Sequence, residues 1–395
     1  MTKAMGVALR DEAITALYDW ENKMKKTLFA MSMVAALATT SIVGAKDLRL
    51  GPGAPNVHPA HTPMYTNFVK YLPEETNGAV TGIIMGTEVA NVPNMKAALA
   101  SNIVQVGNVL PLYYAADLPN TALMGELAFL GTNSHVMAAA LTEYVVNCAD
   151  CKAEFKAMGN VYAGSGSSDP YILLTTKPIR NAADMKGMRL RSGGSPFARW
   201  ADYTGAAGVA MPVSSTFEAI SQGTIDGTMA SVADLTSYRL VDLVKYATEL
   251  TLGTYHATSN FSISNDAWAD LSVEERKGVI RAANRANPTF TQNWAYERPE
   301  VAHQAGVDAG IEFITPDQDL IDLTAKFVED DIKALGSLAD SQYGIKDGDA
   351  KIATFVALVE KWGAIVAKTG NDPVAIATAM QEEIWDKVDY ETYGL

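Results

Sequence analysis

The sequence has little cysteine, no run of basic residues and no apolar stretch long enough to span a bilayer. Its two cysteines exclude a disulfide-dense scaffold and a four-cysteine zinc or iron–sulfur site. The formal net charge is -14. Because nucleic acids and anionic membrane surfaces require clustered Lys and Arg, we expect neither of them as a partner.

The short motifs of the common enzyme classes are also missing. None of the five histidines forms the His-Glu-x-x-His pattern of a metalloprotease, and there is no Gly-x-Ser-x-Gly elbow, phosphate loop or complete dinucleotide fingerprint. His58 and His61 lie in a Pro-rich loop where they could contact a metal, but no third ligand is near them in sequence. We therefore expect no cofactor, no metal site and no enzyme, with an unfamiliar active site as the alternative.

What the sequence does have is ample apolar material. The chain has 395 residues, of which 48% are hydrophobic and 19% are charged, so it can bury a large core and is not a disordered protein. At roughly 100–200 residues per domain, this length predicts two domains, or three.

The first 45 residues have the layout of a secretory signal peptide. Lys23, Lys25 and Lys26 form a basic start, and an apolar run follows from Leu28 to Ala38. Val43-Gly44-Ala45 then supplies small residues at the positions that a signal peptidase requires. The alternative is a membrane anchor, but the run is well short of the ~20 apolar residues that cross a bilayer.

We therefore expect residues 1–23 to be an upstream extension and residues 24–45 to be a signal peptide, with cleavage near Ala45. The mature protein is expected to be periplasmic and not embedded in a membrane. In that oxidising compartment Cys148 and Cys151 are expected to form a local disulfide in a loop that follows an apolar helix. A thiol redox site and a metal site are the alternatives for this pair.

Strand-like and helical segments alternate along the chain. Apolar and β-branched residues predict strands near 46–50, 80–85, 103–106, 161–163, 171–175, 189–191 and 260–264. Ser195 is expected to cap one helix, Ser215 to form a capping box with Glu218, and residues 228–231 to form a loop. From Pro316 onward the chain is almost entirely helical. This order predicts an α/β fold with mixed or parallel sheets.

Two segments in the middle of the chain carry a specific resemblance. Residues 183–191 read Ala-Asp-Met-Lys-Gly-Met-Arg-Leu-Arg, and residues 215–227 read Ser-Thr-Phe-Glu-Ala-Ile-Ser-Gln-Gly-Thr-Ile-Asp-Gly. Together with Tyr-Ile-Leu-Leu-Thr-Thr-Lys-Pro-Ile at 171–179, their sequence and spacing closely resemble the DctP-type solute-binding proteins of tripartite ATP-independent periplasmic (TRAP) transporters. The resemblance extends weakly over most of residues 46–320, and the helical tail is longer than the family leads us to expect.

The resemblance implies a two-lobed periplasmic binding protein with mixed sheets, crossover strands and a long hinge-spanning helix. Residues 46–170 and 257–305 would form lobe I, residues 171–256 and 306–345 would form lobe II, and residues 346–395 would form a helical tail. A solute captured in the cleft between the lobes would pass to the small and large permease subunits in the membrane, for uptake driven by an ion gradient.

The resemblance places Arg191 at the arginine that grips the carboxylate of the ligand. A guanidinium suits this role because its paired donors match the two oxygens of a carboxylate. Arg189, two residues earlier on the predicted strand, is expected at the surface. The other candidate ligand contacts, each with plain packing as its alternative, are Tyr171, Val213, Ser231, Asn108, His58, Asn91 and Phe197.

The departures from the family pattern bear on the ligand. In sialic-acid-binding members a second arginine stands where this chain has Tyr171. One strong cation among hydroxyls, amides and aromatic rings fits an organic monocarboxylate with a weakly polar or aromatic body, or a sulfonate. A small dicarboxylate would need a second cation, which the sequence does not reveal. A periplasmic enzyme acting on a small organic acid, and a ligand sensor on the same fold, are the alternatives to transport.

Overall fold

The computed structural model describes Lys23 and residues 45–395 of the chain. The expected upstream extension and signal peptide therefore lie outside the described residues, apart from Lys23 and Ala45. Within the described part, no helix combines the length and the apolar character needed to cross a membrane.

Two mixed β-sheets organise residues 45–395. In chain order the strands are β1 (Lys46–Gly51), β2 (Val80–Ile84), β3 (Val106–Val109), β4 (Asn160–Tyr162), β5 (Ile172–Thr175), β6 (Arg189–Ser192), β7 (Ala207–Ala210), β8 (Gly227–Ala230), β9 (Tyr246–Thr248), β10 (Ser259–Ser264) and β11 (Glu312–Ile314). The first sheet has the order β2-β1-β3-β10-β4 and the second has the order β11-β9-β5-β8-β6-β7.

Each sheet combines parallel and antiparallel pairs. In the first sheet β1 is parallel to β2 and β3, while β10 runs antiparallel to β3 and β4. In the second sheet β6 is parallel to β7 and β8, while β5 runs antiparallel to β8 and β9. The chain leaves the first sheet after β4, returns with β10 and then adds β11 to the second sheet. The predicted α/β class with mixed sheets is confirmed, and the lobe boundaries stay a prediction.

The α-helices surround these sheets. In chain order they are α1 (Thr66–Glu75), α2 (Met95–Ala100), α3 (Pro119–Gly125), α4 (Ser134–Asn147), α5 (Ala149–Ala157), α6 (Ser195–Tyr203), α7 (Thr216–Ser221), α8 (Asp234–Ser237), α9 (Asn265–Ala269), α10 (Val273–Gln292), α11 (Arg298–Asp308), α12 (Gln318–Tyr343), α13 (Gly348–Thr369) and α14 (Pro373–Glu383).

The C-terminal helices complete the core beside the first sheet. Helix α4 is buried from Ser134 to Val146 because α13 covers it, and α14 covers α10 in the same way. The last residues also dock on the protein: Trp268 Nε1 donates to the carbonyl oxygen of Tyr393 at 2.7 Å, and Tyr393 Oη donates to the carbonyl oxygen of Tyr162 at 2.8 Å. The helical tail is thus part of the same packed unit.

The structure corrects the local interpretation of the cysteine pair. Residues after Asn147 were expected to form a loop, but α5 begins at Ala149, with Cys148 at its N-cap. The sulfur of Cys148 accepts a hydrogen bond from the Cys151 amide at 3.0 Å, which satisfies one of the free N–H groups of the first turn. The two sulfurs are joined in a disulfide.

Two expected helix caps are wrong. Gly194, not Ser195, occupies the N-cap of α6, and the Ser195 hydroxyl donates to the buried carboxylate of Glu126 instead. Ser215 has helical backbone angles and makes no capping hydrogen bond to α7, because a short 3₁₀ turn, Val213–Ser215, precedes the helix. A tertiary contact displaces the first cap, and the backbone immediately before α7 displaces the second.

Two strand predictions also need correction. Residues 228–231 were expected to form a loop, but residues 227–230 form the buried strand β8, which lies between β5 and β6. The strand expected at 103–106 begins three residues later, at Val106. Small and hydroxylated residues such as Gly227 and Thr228 hide the β8 strand from a search for apolar β-branched runs.

Candidate functional site

A cavity lies between the two sheets, where loops that follow strands of both sheets converge. It is lined by Ala54, His58, Ala60, Val92, Asn108, Leu110, Tyr113, Tyr171, Arg191, Val213, Asp234, Tyr238, Tyr255, Thr258, Asn260, Phe290 and Trp294. Most of these side chains are aromatic or polar, and Arg191 is the one Lys or Arg among them. Such a mixture of apolar walls and a few placed polar groups is typical of a small-molecule site.

Arg191 is held in the cavity by the strand that carries it. It belongs to β6, between β7 and β8, and only 1% of its surface is exposed. Its Nε donates to the carbonyl oxygen of Met211 at 3.0 Å, and its Nη2 donates to the hydroxyl of Tyr113 at 2.7 Å. These bonds use two of the five N–H groups of a guanidinium, so three remain.

The chain after β6 is shaped to fit this guanidinium. A Cβ atom at Gly193 would lie 3.1 Å from Nη2 and 3.2 Å from Nη1 of Arg191. Glycine therefore allows the backbone to pass directly beside the charged group. Burial opposes the positive charge, but Tyr113, Tyr171 and Asp234 outweigh it and hold the pKa of Arg191 above its usual value. Arg191 is thus a permanent cation in a buried cavity.

Aromatic rings form the wall next to Arg191. Tyr171 stacks on Tyr255 at 5.9 Å between ring centroids and on Phe197 at 5.0 Å. A second group of rings lies around His58, whose centroid is 5.4 Å from Tyr238 and 5.8 Å from Trp294. These surfaces can contact the flat or apolar body of a ligand.

Several polar atoms of the lining have no hydrogen-bond partner within the described residues. They are Asn108 Oδ1, Asp234 Oδ1, Tyr255 Oη, Asn260 Oδ1 and Trp294 Nε1. A buried polar atom without a partner costs roughly 1–3 kcal/mol, so a cluster of them indicates a place where a ligand or water supplies the missing bonds.

Five of the predicted site residues line this cavity: Arg191, Tyr171, Val213, Asn108 and His58. The other three lie nearby but are not part of the lining. Their contact with ligand stays a prediction.

Each of these three has a structural partner. Phe197 lies in α6 and stacks on Tyr171. The Ser231 hydroxyl accepts a hydrogen bond from the Ala233 amide at 3.0 Å. Asn91 and Asn94 cap each other's backbone amides around the short turn Val92–Asn94, so the Asn91 side chain is used locally.

The sequence interpretation missed several residues of the cavity, above all Tyr113, Asp234, Tyr238, Tyr255 and Trp294. Topology offers a signal for two of them. Asp234 follows the end of β8, the strand next to the one that carries Arg191, and Tyr113 follows β3 of the first sheet. Side chains just beyond the ends of neighbouring strands converge at one edge of a sheet. For Asp234 the signal depends on β8, a strand whose small and hydroxylated residues do not form an apolar β-branched run.

A metal centre has no support in the described part of the chain, where no three His, Cys, Asp or Glu side chains are grouped to hold an ion. His61 is not part of the cavity lining, and its Nδ1 lies 3.0 Å from the hydroxyl of Thr62.

Comparison with known families gives one match that covers most of the chain. The DctP family, described as bacterial extracellular solute-binding protein, family 7, matches residues 50–328. The matched region begins near the end of β1, includes every later strand of both sheets, and ends within α12, before α13 and α14.

Solved structures with the same fold include three that differ in bound ligand. A TRAP periplasmic solute-binding protein from Bordetella bronchiseptica with bound mandelate is 25% identical, with 80% of this chain and 99% of that chain covered and a TM-score of 0.69. One from Rhodoferax ferrireducens with copurified benzoate is 19% identical, with coverage of 81% and 99% and a TM-score of 0.70. A Bordetella pertussis receptor binding pyroglutamic acid is 18% identical, with coverage of 79% and 100% and a TM-score of 0.66.

Proposed function

Because the chain belongs to the DctP family of bacterial extracellular solute-binding proteins, we propose that it is the periplasmic component of a TRAP transporter and that Arg191 holds the carboxylate of its cargo. The cargo is an organic acid captured between the two sheets and handed to the small and large permease subunits. The observation that carries this proposal is the buried guanidinium of Arg191 in the cavity, hydrogen-bonded to neutral groups.

The chemistry of a buried cation supports an anionic ligand. A buried charge is costly unless an opposite charge or several hydrogen bonds compensate it. Within the described residues, the guanidinium of Arg191 bonds to a carbonyl and a tyrosine hydroxyl and to no carboxylate. The N–H groups that remain match a carboxylate in a bidentate geometry, and a sulfonate offers similar oxygens.

The lining favours a monocarboxylate with an aromatic or weakly polar body. Arg191 is the one Lys or Arg of the lining, so a second carboxylate would find no matching cation. Tyr171, Tyr255 and Trp294 offer ring surfaces to the rest of the molecule. Proteins of this fold carry mandelate or benzoate, acids of this kind, in their crystal structures.

Capture between two sheets also suits a transport role. The chain passes between the sheets three times, which provides a hinge about which the cavity can open and close. A carrier of this type binds its solute without altering it. The family and the fold accord with a periplasmic location outside the membrane.

A ligand screen tests the proposal. The full chain is mixed with aliphatic and aromatic monocarboxylates, dicarboxylates, sugar acids and sulfonates, and its Tm is followed by thermal shift. We expect a monocarboxylate to raise Tm, because a ligand that binds only the folded state stabilises it by mass action. Recovery of the acid unchanged after prolonged incubation, measured by mass spectrometry, separates a carrier from an enzyme. No shift with any acid, or conversion of the acid, would contradict the proposal.

A further inference from the structure

Asp234 brings a buried carboxyl group to the cavity, at the start of the short helix α8. It is 4% exposed, and its Oδ1 has no hydrogen-bond partner within the described residues. Its neighbour across the cavity lining is His58, whose Nε2 lies 4.0 Å from this oxygen. That separation is too long for a hydrogen bond, so the two groups face each other without bonding.

The hydrogen-bonding role of each nitrogen of His58 follows from its surroundings. Burial, with a smaller contribution from Arg298, lowers the pKa of His58 to about 3, so the ring is neutral. The amide of Ala60 donates to Nδ1 at 3.0 Å, which makes Nδ1 the acceptor. In a neutral imidazole the other nitrogen then carries the proton. His58 Nε2 is therefore a donor that faces the acceptor Oδ1 of Asp234.

The gap between these atoms matches one small group. A hydrogen-bonded oxygen lies about 2.8 Å from its partner, so a single oxygen can bond to both atoms when they are 4.0 Å apart. It must donate to Asp234 and accept from His58. A hydroxyl group does both. An ammonium group can only donate, and a second carboxylate would repel the ionised form of Asp234.

We propose that Asp234 and His58 form a second polar subsite that binds a hydroxyl group on the acid held by Arg191, so that the cargo is a hydroxylated carboxylic acid. This inference rests on the proposed function, because it places a hydroxyl group on the same ligand whose carboxylate is held by Arg191. The subsite gives Asp234 and His58 the bonds that they lack within the protein, and it selects against acids that carry hydrogen or a second carboxylate at that position.

Matched acids test the subsite without any mutation. Isothermal titration calorimetry of the full chain compares mandelate with phenylacetate and lactate with propanoate, which differ by one hydroxyl group. We expect the hydroxylated member of at least one pair to bind about 10- to 100-fold more tightly, the effect of a hydrogen bond to a charged group. Phenylglycine and phenylmalonate, which carry an ammonium or a second carboxylate there, are expected to bind more weakly than mandelate.

Variants then locate the preference. In Asp234→Ala the affinities of the hydroxylated acid and of the acid without the hydroxyl group are expected to differ by no more than about threefold. The acid without the hydroxyl group should still bind. Asp242→Asn is the control, because Asp242 is an exposed residue paired with Arg239 and is not part of the cavity lining. The Asp242→Asn variant should favour the hydroxylated acid by the same factor as the unaltered protein.

The outcomes separate the two proposals. Equal affinity within both pairs, with binding that Arg191→Ala abolishes, would overturn the subsite and leave the proposed function standing. Tighter binding of phenylglycine than of mandelate would also overturn it, in favour of an ammonium site. Absence of binding by every one of these acids would overturn both.

Discussion

Arg191 and Tyr113 are hydrogen-bonded to each other across the cavity, with 2.7 Å between Nη2 and the tyrosine oxygen. Arg191 belongs to β6 of the second sheet, whereas Tyr113 follows β3 of the first sheet. The Tyr113 oxygen also accepts a hydrogen bond from the Val213 amide at 3.3 Å. The cation proposed to hold the ligand is thus oriented by a residue that follows a strand of the other sheet.

Tyr113→Phe should weaken acid binding, because it removes the hydroxyl that orients Nη2 of Arg191. We expect a loss of about 3- to 30-fold, measured by calorimetry, which is less than for a direct contact with the ligand because Tyr113 acts through Arg191. The matched control is Tyr114→Phe, since the Tyr114 hydroxyl donates to the carbonyl of Val92 and does not contact Arg191. Equal losses in the two variants would show that Tyr113 does not act through Arg191.

Removal of the disulfide should affect stability and not binding. Cys148 and Cys151 close a very short loop outside the cavity lining, so loop entropy gives the bond a contribution of about 2 kcal/mol at most. We expect Cys148→Ser combined with Cys151→Ala to lower the free energy of unfolding by roughly this amount in a urea titration. Acid affinity should stay within about twofold. A tenfold loss of affinity would instead support a functional thiol pair.

The C-terminal residues are expected to matter for stability. Tyr393 is buried against Trp268 and Trp385, so Tyr393→Ala should cost about 3–5 kcal/mol, as for other large aromatic residues in a core. Tyr393→Phe keeps the ring and loses only the bond to the Tyr162 carbonyl, at a cost of about 1 kcal/mol. Urea titration of the two variants measures both values. Similar, small costs would show that the tail does not pack as described.

Asp234 should make stability depend on pH. Burial raises the pKa of Asp234 from 3.8 to about 7, although the charge of Arg191 acts in the opposite direction. The folded state therefore binds this proton more tightly than the unfolded state, and the free energy of unfolding falls as pH rises from about 4 to about 7. His58 stays neutral over this range, since its pKa is lowered to about 3.

An asparagine at position 234 cannot ionise, so Asp234→Asn should remove the loss of stability that accompanies ionisation of Asp234 at higher pH. We expect its Tm to match that of the unaltered protein near pH 4 and to exceed it at pH 8, by roughly 2–4 °C for each kcal/mol gained. Asp242→Asn, at an exposed position, should show no such trend. A Tm difference for Asp234→Asn that is the same at both pH values would contradict the assignment.

Local sequence predicted much of this architecture. The family resemblance inferred from residues 183–191 and 215–227 is confirmed by the match over residues 50–328. The strands at 46–51, 80–84 and 259–264 were found because their apolar residues alternate or cluster in short runs. Arg191 was selected from the resemblance, and it lies in one cavity with the predicted contacts Asn108 and His58.

The remainder depends on contacts between distant parts of the chain. Strand β8 contains Gly227 and Thr228 and exists because β5 and β6 bond to it on either side, which no local pattern reveals. Asp234, which follows β8, was therefore not predicted as a site residue. Ser195 failed as a cap because Glu126, 69 residues away, takes its hydroxyl. Tyr113 gains its role only when the second sheet brings Arg191 within reach.

The central claim is that Arg191 holds the carboxylate of the ligand. The most direct test is calorimetric titration of the best-binding acid into Arg191→Ala and Arg189→Ala. These residues lie two apart on β6, but Arg189 is the first residue of the strand, is partly exposed and pairs with Asp226. We expect Arg191→Ala to lose about 2–5 kcal/mol of binding free energy and Arg189→Ala to bind within about threefold of the unaltered protein. Undiminished binding by a folded Arg191→Ala protein would contradict the claim.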